Sequence, residues 1–314
     1  IMKVLVIRFS SIGDILVTTP VLRCVKQQWK AELTFLTGEK FKTLLADNPY
    51  IDHIHTDVKG VMATRNWIAT AGFDLIIDLH KNRKSVMMTL ATGVKVVRYN
   101  KLNWQKWWYV QTKNNILPPI HLVDRYFESL APLGLINDGQ GLDYQVTSLP
   151  ADILLPPQYN VVILGAAHKT KRIPLQQCHL WVEKSRWPVV CLGGNDVTEE
   201  GAILAQSHPN KVIDLTGKLT LGQSGAVLLK ATGTVTGDTG MMHMAAALKK
   251  EVKVLWGNTT PAFGMYPYYG GQNQVPWTSE EVKGLNCRPC SKLGYDACPK
   301  GHFRCMLQHK PMPW

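Results

Sequence analysis

Short runs of β-branched and apolar residues alternate along the chain with stretches in which apolar residues recur at helical spacing. In the first half, the pattern predicts strands at residues 3–9, 32–37, 51–56, 74–79 and 95–99. Helices are expected between them at 15–29, 40–46, 62–70 and 85–91, with one more at 122–133. This alternation is typical of an α/β protein in which helices cover both faces of a parallel sheet.

The same pattern restarts after two proline-containing breaks, Ser148-Leu149-Pro150 and Leu155-Pro156-Pro157. Further strands are expected at residues 160–164, 189–192, 211–214, 234–236 and 253–256. We therefore predict two Rossmann-like domains, residues 1–155 and 156–314. Since ligands of such sheets bind beyond the carboxyl ends of the strands, the active site is expected in a central cleft that both parallel sheets face.

The chain is long and apolar enough to form two hydrophobic cores, but its apolar runs are too short to cross a membrane. The chain has 314 residues, of which 45% are hydrophobic, enough for two domains of ordinary size. No apolar run approaches the roughly 20 residues that cross a bilayer. A strand-like run begins at Lys3 without the regions of a secretory signal, so a cytoplasmic location is expected.

The formal charge of +12 favours an anionic partner, which could be nucleic acid, an anionic membrane face or a phosphorylated substrate. Between Lys81 and Lys113 there are eight basic residues and no acidic one, and Trp104, Trp107 and Trp108 lie in this segment. Indole rings beside ammonium groups suit the boundary between water and lipid. The alternative is a loop that folds its tryptophans into the core.

The turn after the first strand is the first candidate for chemistry. Ser11 can cap the following helix, Gly13 lets the backbone come close to a substrate, and Asp14 lies in the first helical turn. The helix dipole alone would also explain an acidic residue at that position. Asp14 is therefore either a functional carboxylate or a capping one.

Two turns of the second half could hold a nucleotide. The first carries Thr170 and Lys171 in a basic stretch that could seat a pyrophosphate, although a solvated basic loop is the alternative. The second runs Asp238-Thr239-Gly240 into a helix whose free N–H groups form an anion site. His243 on that helix is either a core residue or a donor contact. Asp196, after Gly193-Gly194, is a candidate for the ribose hydroxyls.

Four of the seven cysteines lie in the C-terminal tail, as Cys287-x-x-Cys290, Cys298 and Cys305, with His302 nearby. This spacing could hold Zn²⁺. Reduced thiols and disulfides are the other two possibilities, and a cytosolic thiol pool disfavours disulfides.

Five motifs together resemble the ADP-heptose:lipopolysaccharide heptosyltransferases of glycosyltransferase family nine. They are Ser11-Ile12-Gly13-Asp14 with Thr19-Pro20, Asp78-Leu79-His80 with Asn82-Arg83, Lys171-Arg172-x-Pro174, Asp238-Thr239-Gly240-x-x-His243 and Gly257-x-Thr259-x-Pro261. The sequence departs from the usual family pattern at Ile173, where an aromatic residue is common, and at Met241, where proline is common.

The resemblance implies a GT-B fold, an ADP-activated heptose as donor, and an inverting transfer to the inner core of lipopolysaccharide with no metal or other cofactor. It also implies that Asp14 is the catalytic base. Taken with the turn chemistry, the expected donor-binding residues are Thr170, Lys171, Asp196, Asp238, Thr239, Gly240 and His243. The expected acceptor-binding residues are Ser11, Gly13, His80, Lys81, Arg83 and Lys84.

The expected partners are thus a nucleotide-sugar donor, an acidic glycolipid acceptor and an anionic membrane surface, with the enzyme peripheral at the inner face of the cytoplasmic membrane. Alternatives are a transferase of another nucleotide sugar in the same family and a GT-B sugar-nucleotide epimerase, although an epimerase needs no lipid-facing basic segment. A nucleic-acid partner is not expected, because the sequence contains no helix-turn-helix, zinc-finger or RNP-type pattern.

Overall fold

The computed structural model describes residues 1–271 and 275–314. The strands and helices of the first half are β1 (Lys3–Ile7), α1 (Ile12–Leu16), α2 (Thr19–Trp29), β2 (Glu32–Thr37), β3 (His53–Thr56), α3 (Gly60–Thr70), β4 (Leu75–Asp78), α4 (Arg83–Thr89), β5 (Lys95–Arg98), α5 (Asn103–Thr112) and α6 (Leu122–Leu130). The strands form one sheet in the order β3-β2-β1-β4-β5, and every adjacent pair is parallel.

The second half repeats this architecture. Its elements are β6 (Asn160–Ile163), α7 (Leu175–Lys184), β7 (Val189–Leu192), α8 (Thr198–Ser207), β8 (Val212–Asp214), α9 (Leu221–Lys230), β9 (Thr234–Gly237), α10 (Gly240–Ala247), β10 (Val252–Trp256), β11 (Trp277–Glu281) and α11 (Arg304–Leu307). The sheet order is β11-β10-β9-β6-β7-β8, again with parallel neighbours. The predicted class of two Rossmann-like parallel sheets is confirmed.

The strand order fixes where each sheet can bind a ligand. In the first sheet the chain runs from β1 outward through β2 and β3, then returns to the other side of β1 with β4 and β5. The second sheet reverses in the same way between β6 and β9. Crevices open at such reversals beyond the carboxyl ends of the two strands. The turns after β1 and β4, and those after β6 and β9, are therefore the expected ligand sites.

The central strands are buried on both faces, as parallel sheets covered by helices require. All four residues from Val4 to Ile7 are fully buried, and so are all four from Val189 to Leu192. Side chains of β6, β7, α7 and α11 form one hydrophobic core of the second sheet. Rigid, buried strands thus hold the polar turns at their carboxyl ends.

Contacts between Cα atoms divide the chain into two compact units whose limits differ from the predicted division after residue 155. The first unit comprises residues 1–101 and 120–145 with a short piece that begins at Gly270. The second comprises residues 102–119, 146–269 and the described C-terminal residues from 275 onward. Helix α5 belongs to the second unit, because the Lys113 ammonium donates to the Pro289 carbonyl oxygen at 2.8 Å and the Tyr109 ring packs against Phe263.

The single helix predicted over residues 15–29 is wrong, because the structure has α1 and α2 with a break at Val17 and Thr18. The hydroxyls of Thr18 and Thr19 donate to the carbonyl oxygens of Ile15 and Leu16, and Pro20 has no N–H with which to continue a helix. The helix predicted over residues 40–46 is a 3-10 helix, Glu39–Leu45.

The elements that the sequence did not predict include α5 and β11. The tryptophan-rich segment forms α5 instead of a loop, and none of its residues is buried, so the interpretation that its tryptophans fold into the core is wrong. Strand β11 is an edge strand paired with β10, and its sequence, Trp-Thr-Ser-Glu-Glu, carries little hydrophobic signal. In the described part of the chain, no helix combines the length and apolar character needed to cross a membrane.

Candidate active site

The turn after β1 holds Asp14 by both carboxylate oxygens. Its Oδ1 lies 2.5 Å from Nη2 of Arg8, and its Oδ2 accepts from the Ser11 hydroxyl at 2.7 Å and from the Ser11 N–H at 3.3 Å. Ser11 and Asp14 thereby form a capping box at the start of α1, in which Gly13 is buried. The Asp14 side chain is still 29% exposed. The carboxylate is thus fixed in orientation and can be reached by solvent.

Arg8 joins the two turns at the reversal of the first sheet. Its Nε donates to the Ser10 carbonyl oxygen at 2.8 Å, and its Nη1 donates to the Leu79 carbonyl oxygen at 2.5 Å. Burial lowers the pKa of Arg8, but Asp14, Tyr126 and Tyr99 raise it more, so the net pKa lies above its ordinary value. A permanent, buried cation therefore orients Asp14. No role for Arg8 was predicted from the sequence.

Asp78, at the end of β4, is a structural carboxylate. It is fully buried, and its Oδ1 accepts from the N–H groups of His80 at 3.1 Å and Lys81 at 2.7 Å. Its Oδ2 accepts from Ser85 Oγ and Arg98 Nε, both at 2.9 Å. Four donors satisfy this carboxylate, and it holds the turn that presents His80.

His80 is a neutral imidazole at the same place. Burial, followed by the nearby Arg8 and Lys101 charges, lowers the pKa of His80 to about 4. Its ring lies 5.1 Å from the Phe9 ring, and among the described residues its buried Nδ1 has no hydrogen-bond partner. An uncharged ring can lie beside a ligand without adding positive charge to the site.

The three predicted cations after β4 have different surroundings. The Lys81 ammonium donates to the Tyr99 carbonyl oxygen at 2.9 Å. The Lys84 ammonium pairs with Asp57 and lies 5.0 Å from the centre of the Phe9 ring. Arg83 is exposed at the first position of α4. Of the three, Arg83 is the most accessible to an anionic ligand.

In the second unit, three turns bring Lys171, Asp238 and Thr259 together. The Lys171 ammonium lies 2.8 Å from Asp238 Oδ2, which also accepts from the Thr259 hydroxyl at 2.8 Å. A Cβ at Gly237 would lie 2.0 Å from the Lys171 carbonyl oxygen, so only glycine lets β9 approach this turn so closely. The cluster lies at the start of α10, where Thr239 caps the helix by accepting from the Met242 N–H at 3.3 Å and Gly240 is the first helical residue.

Two of the predicted donor-binding residues, Thr170 and His243, are almost fully buried. The Thr170 hydroxyl donates to the Tyr295 carbonyl oxygen at 3.0 Å and accepts from the Tyr295 N–H at 2.8 Å. These contacts fasten the turn after β6 to the C-terminal segment. His243 lies on α10 one turn beyond Gly240. Neither side chain is presented to a ligand as openly as Lys171.

Asp196 lies at the edge of a cavity of about 490 Å³ beyond β6 and β7. It forms an ion pair with Arg172, and Arg172 Nη1 also donates to the Asp196 carbonyl oxygen at 3.1 Å. The rest of the wall includes Ile173, Asn195, Glu199 and Phe303. The volume lies in the range that holds small ligands and cofactors.

All seven cysteines are free thiols in the structure. In the tail, Cys287 Sγ lies 3.8 Å from His302 Nε2, and the Cys290 thiol donates to the Cys287 carbonyl oxygen at 3.0 Å. Burial raises the pKa of Cys305 to about 12. Over residues 1–271 and 275–314, no group of three or more His, Cys, Asp or Glu side chains is arranged to hold a metal ion.

Two Rossmann-like units, each with polar turns at the reversal of a parallel sheet, are the architecture of the GT-B fold. Residues 62–292 match the sequence model of glycosyltransferase family 9 (heptosyltransferase). The chain belongs to this family and is a glycosyltransferase. The resemblance seen in the five motifs is thereby confirmed.

Several heptosyltransferases are similar to this chain in sequence or in fold. Lipopolysaccharide heptosyltransferase 1 of Escherichia coli K12 is 25% identical over 322 residues, which cover 87% of this chain and 93% of the relative. The structure of E. coli ADP-heptose lps heptosyltransferase II is 18% identical, with a TM-score of 0.68 over 98% of this chain and 99% of that one. E. coli heptosyltransferase WaaC with ADP-2-deoxy-2-fluoro heptose is 22% identical, with a TM-score of 0.64 over 90% and 94% of the two chains.

Proposed function

We propose that the protein transfers a heptose from ADP-heptose to the inner core of lipopolysaccharide, with inversion at the anomeric carbon and Asp14 as the general base. In this proposal the enzyme works as a peripheral protein at the inner face of the cytoplasmic membrane. The observation that carries this proposal is the Lys171–Asp238–Thr259 cluster at the start of α10. In a chain of glycosyltransferase family 9, this cluster suits the phosphates of a sugar-nucleotide donor. The bacterial heptosyltransferase 1 that aligns along most of the chain supports the choice of heptose and acceptor.

The second unit is assigned to the donor. The pyrophosphate would take the Lys171 ammonium as its cation and the first N–H groups of α10 as hydrogen-bond donors. Asp196 would accept from the ribose hydroxyls, and the base would enter the cavity beside Ile173. An aliphatic side chain at that position packs against a base without the stacking that an aromatic ring would supply.

The first unit is assigned to the acceptor. Asp14 would accept the proton of the acceptor hydroxyl while that oxygen forms its bond to the anomeric carbon. The bond between the anomeric carbon and the phosphate oxygen breaks, and its electron pair leaves with ADP. Lys171 and the N-terminus of α10 would stabilise the charge that develops on the leaving phosphate. Since attack and departure occur on opposite faces of the carbon, the configuration inverts.

Neighbouring groups would orient the acceptor. The neutral His80 ring would lie beside the acceptor sugar, and Arg83 would offer a cation to a phosphate or carboxylate. Ser11 would shape the turn through the capping box, in which Gly13 is buried. Lys81 and Lys84 would support these residues indirectly, since their ammonium groups have partners within the first unit.

Thermal-shift measurements with ADP, UDP, GDP and ADP-heptose test the donor assignment. A ligand that binds only the native state raises stability by about 2.7 kcal/mol at one hundred times its Kd. We expect ADP and ADP-heptose to raise the melting temperature clearly at concentrations at which UDP and GDP do not. A larger shift with UDP or GDP would contradict an ADP-activated donor.

A further inference from the structure

Helix α5 presents two tryptophans to solvent. Trp104 is 60% exposed and Trp107 is 56% exposed, and their spacing of three residues places them on neighbouring positions of one helix face. The Trp108 ring stacks on Trp104 at 5.8 Å, while Tyr109 packs against Phe263 in the body of the second unit. One side of α5 is thus anchored while the other exposes indole rings. Such an arrangement is costly in water unless something covers the rings.

A second segment of the same unit extends this apolar surface. The Lys292 ammonium donates to Asn103 Oδ1 at 3.3 Å, at the first residue of α5. The next residue, Leu293, is 58% exposed. We define the α5 patch as Trp104, Trp107, Lys292 and Leu293. It combines three exposed apolar side chains with a cation and comes from two segments held together by this hydrogen bond.

The charge around the α5 patch has one sign. No acidic residue occurs from 79 to 123 or from 282 to 295. The segments that carry the patch therefore bring only basic charges, including those of Lys106, Lys113 and Lys283. A protein partner of opposite charge could also cover the indoles, but the glycolipid acceptor of the proposed function is held in a bilayer. Indoles with lysines and without carboxylates match the headgroup region of an anionic bilayer, where indoles sit at headgroup level and lysines meet phosphates.

The dimensions of α5 decide how it could meet a membrane. Ten residues give a helix about 15 Å long, roughly half of the hydrocarbon thickness of a bilayer. The helix cannot span, but it can lie in the interface with its exposed face toward the lipid. In that position the indoles reach the headgroup level while Tyr109 stays against Phe263.

We propose that the α5 patch is the surface by which this enzyme binds an anionic phospholipid bilayer. The proposal deepens the proposed function and rests on it, because a glycolipid acceptor is held in such a bilayer. It also moves the membrane contact away from Lys81 and Lys84, which have partners within the first unit. The α5 patch shares no residue with the proposed donor site, so each can be tested by its own variants.

Flotation with vesicles of phosphatidylglycerol and phosphatidylethanolamine, free of glycolipid, tests the proposal, with phosphatidylcholine vesicles as the neutral comparison. The variant Trp104→Ala/Trp107→Ala should bind the anionic vesicles at least about tenfold more weakly, because it removes the apolar contact. Lys292→Gln should weaken binding about fivefold, since each lysine near an anionic surface contributes about 1 kcal/mol. Wild-type binding should weaken as salt is added, and neutral vesicles should bind less.

Matched controls separate this site from general surface properties. Leu154→Ala/Leu229→Ala removes two exposed apolar side chains elsewhere in the second unit, and Lys230→Gln removes an exposed cation at the end of α9. Both should bind vesicles like the wild type. If the double tryptophan variant fails to fold, as shown by its melting temperature, Lys292→Gln alone decides the result.

Vesicle binding that the α5 variants leave unchanged would overturn the proposal, as would wild-type protein that does not bind at all. A loss of self-association in sedimentation with unchanged vesicle binding would also overturn it, in favour of a contact between copies of the chain. The ADP-induced thermal shift should persist in every α5 variant. An absent ADP shift in the wild type would instead count against the proposed function, so the two failures are distinguishable.

Discussion

Replacing Asp14 by Asn is expected to reduce turnover by about 10²-fold to 10⁴-fold, the usual contribution of a general base. That loss corresponds to roughly 3 to 5 kcal/mol of transition-state stabilisation. The change keeps the size of the side chain and an oxygen that can accept from Ser11, while it removes the carboxylate that takes the proton. Steady-state kinetics with ADP-heptose and acceptor give the turnover, and the thermal shift with ADP should stay close to that of the wild type.

The capping role of Asp14 needs its own control, because the same carboxylate closes the capping box of α1. Asp124 is an acidic residue in the first turn of α6, in the same unit. Asp124→Asn should lower stability slightly through the helix dipole and leave turnover nearly unchanged. Should Asp14→Asn keep more than about a tenth of wild-type turnover, the general-base role would be wrong. His80 would then be the next candidate, since four donors already saturate Asp78.

Replacing Lys171 by Ala should weaken ADP binding by roughly 10-fold to 10²-fold, the loss of one charged hydrogen bond of about 1.5 to 3 kcal/mol. The reason is electrostatic. Without the ammonium, the pyrophosphate loses its cation and faces the Asp238 carboxylate, whose charge is no longer balanced by Lys171. The Thr259 hydroxyl still donates to that carboxylate. Calorimetric titration with ADP measures the change directly.

Lys218 provides the matched control for Lys171. It also pairs with an aspartate of the second unit, Asp214, at 3.4 Å, but its side chain is 58% exposed. Lys218→Ala should leave ADP affinity unchanged, because exposed pairs contribute little and this one lies apart from the α10 cluster. Equal ADP affinities for Lys171→Ala and the wild type would remove Lys171 from the donor site.

The sequence predicted the fold wherever burial leaves a pattern. Strands such as β1 and β7 are continuous apolar runs because both of their faces are covered. The same reasoning could not find α5 or β11, because their exposed side chains leave no hydrophobic period to detect. The break between α1 and α2 depends on local hydrogen bonds of Thr18 and Thr19, which a helical period does not register.

For the candidate site, the sequence located the turns but not the partners within them. Gly240 and Asp14 follow strands at recognisable positions, so the strand-turn-helix pattern indicated them. The pairing of Asp14 with Arg8, and of Asp196 with Arg172, depends on how each turn folds back on itself. Sequence spacing also could not show that Lys81 and Lys84 contact groups of their own unit.

The reaction that we propose moves a heptose from ADP-heptose to an acidic inner-core glycolipid. Mass spectrometry of the glycolipid after incubation with enzyme and ADP-heptose tests it most directly. We expect the acceptor to gain the mass of one heptose while one ADP is released for each heptose transferred, and Asp14→Asn to form product far more slowly. An unchanged acceptor mass with ADP-heptose, together with transfer from a UDP- or GDP-linked sugar, would contradict the proposed reaction.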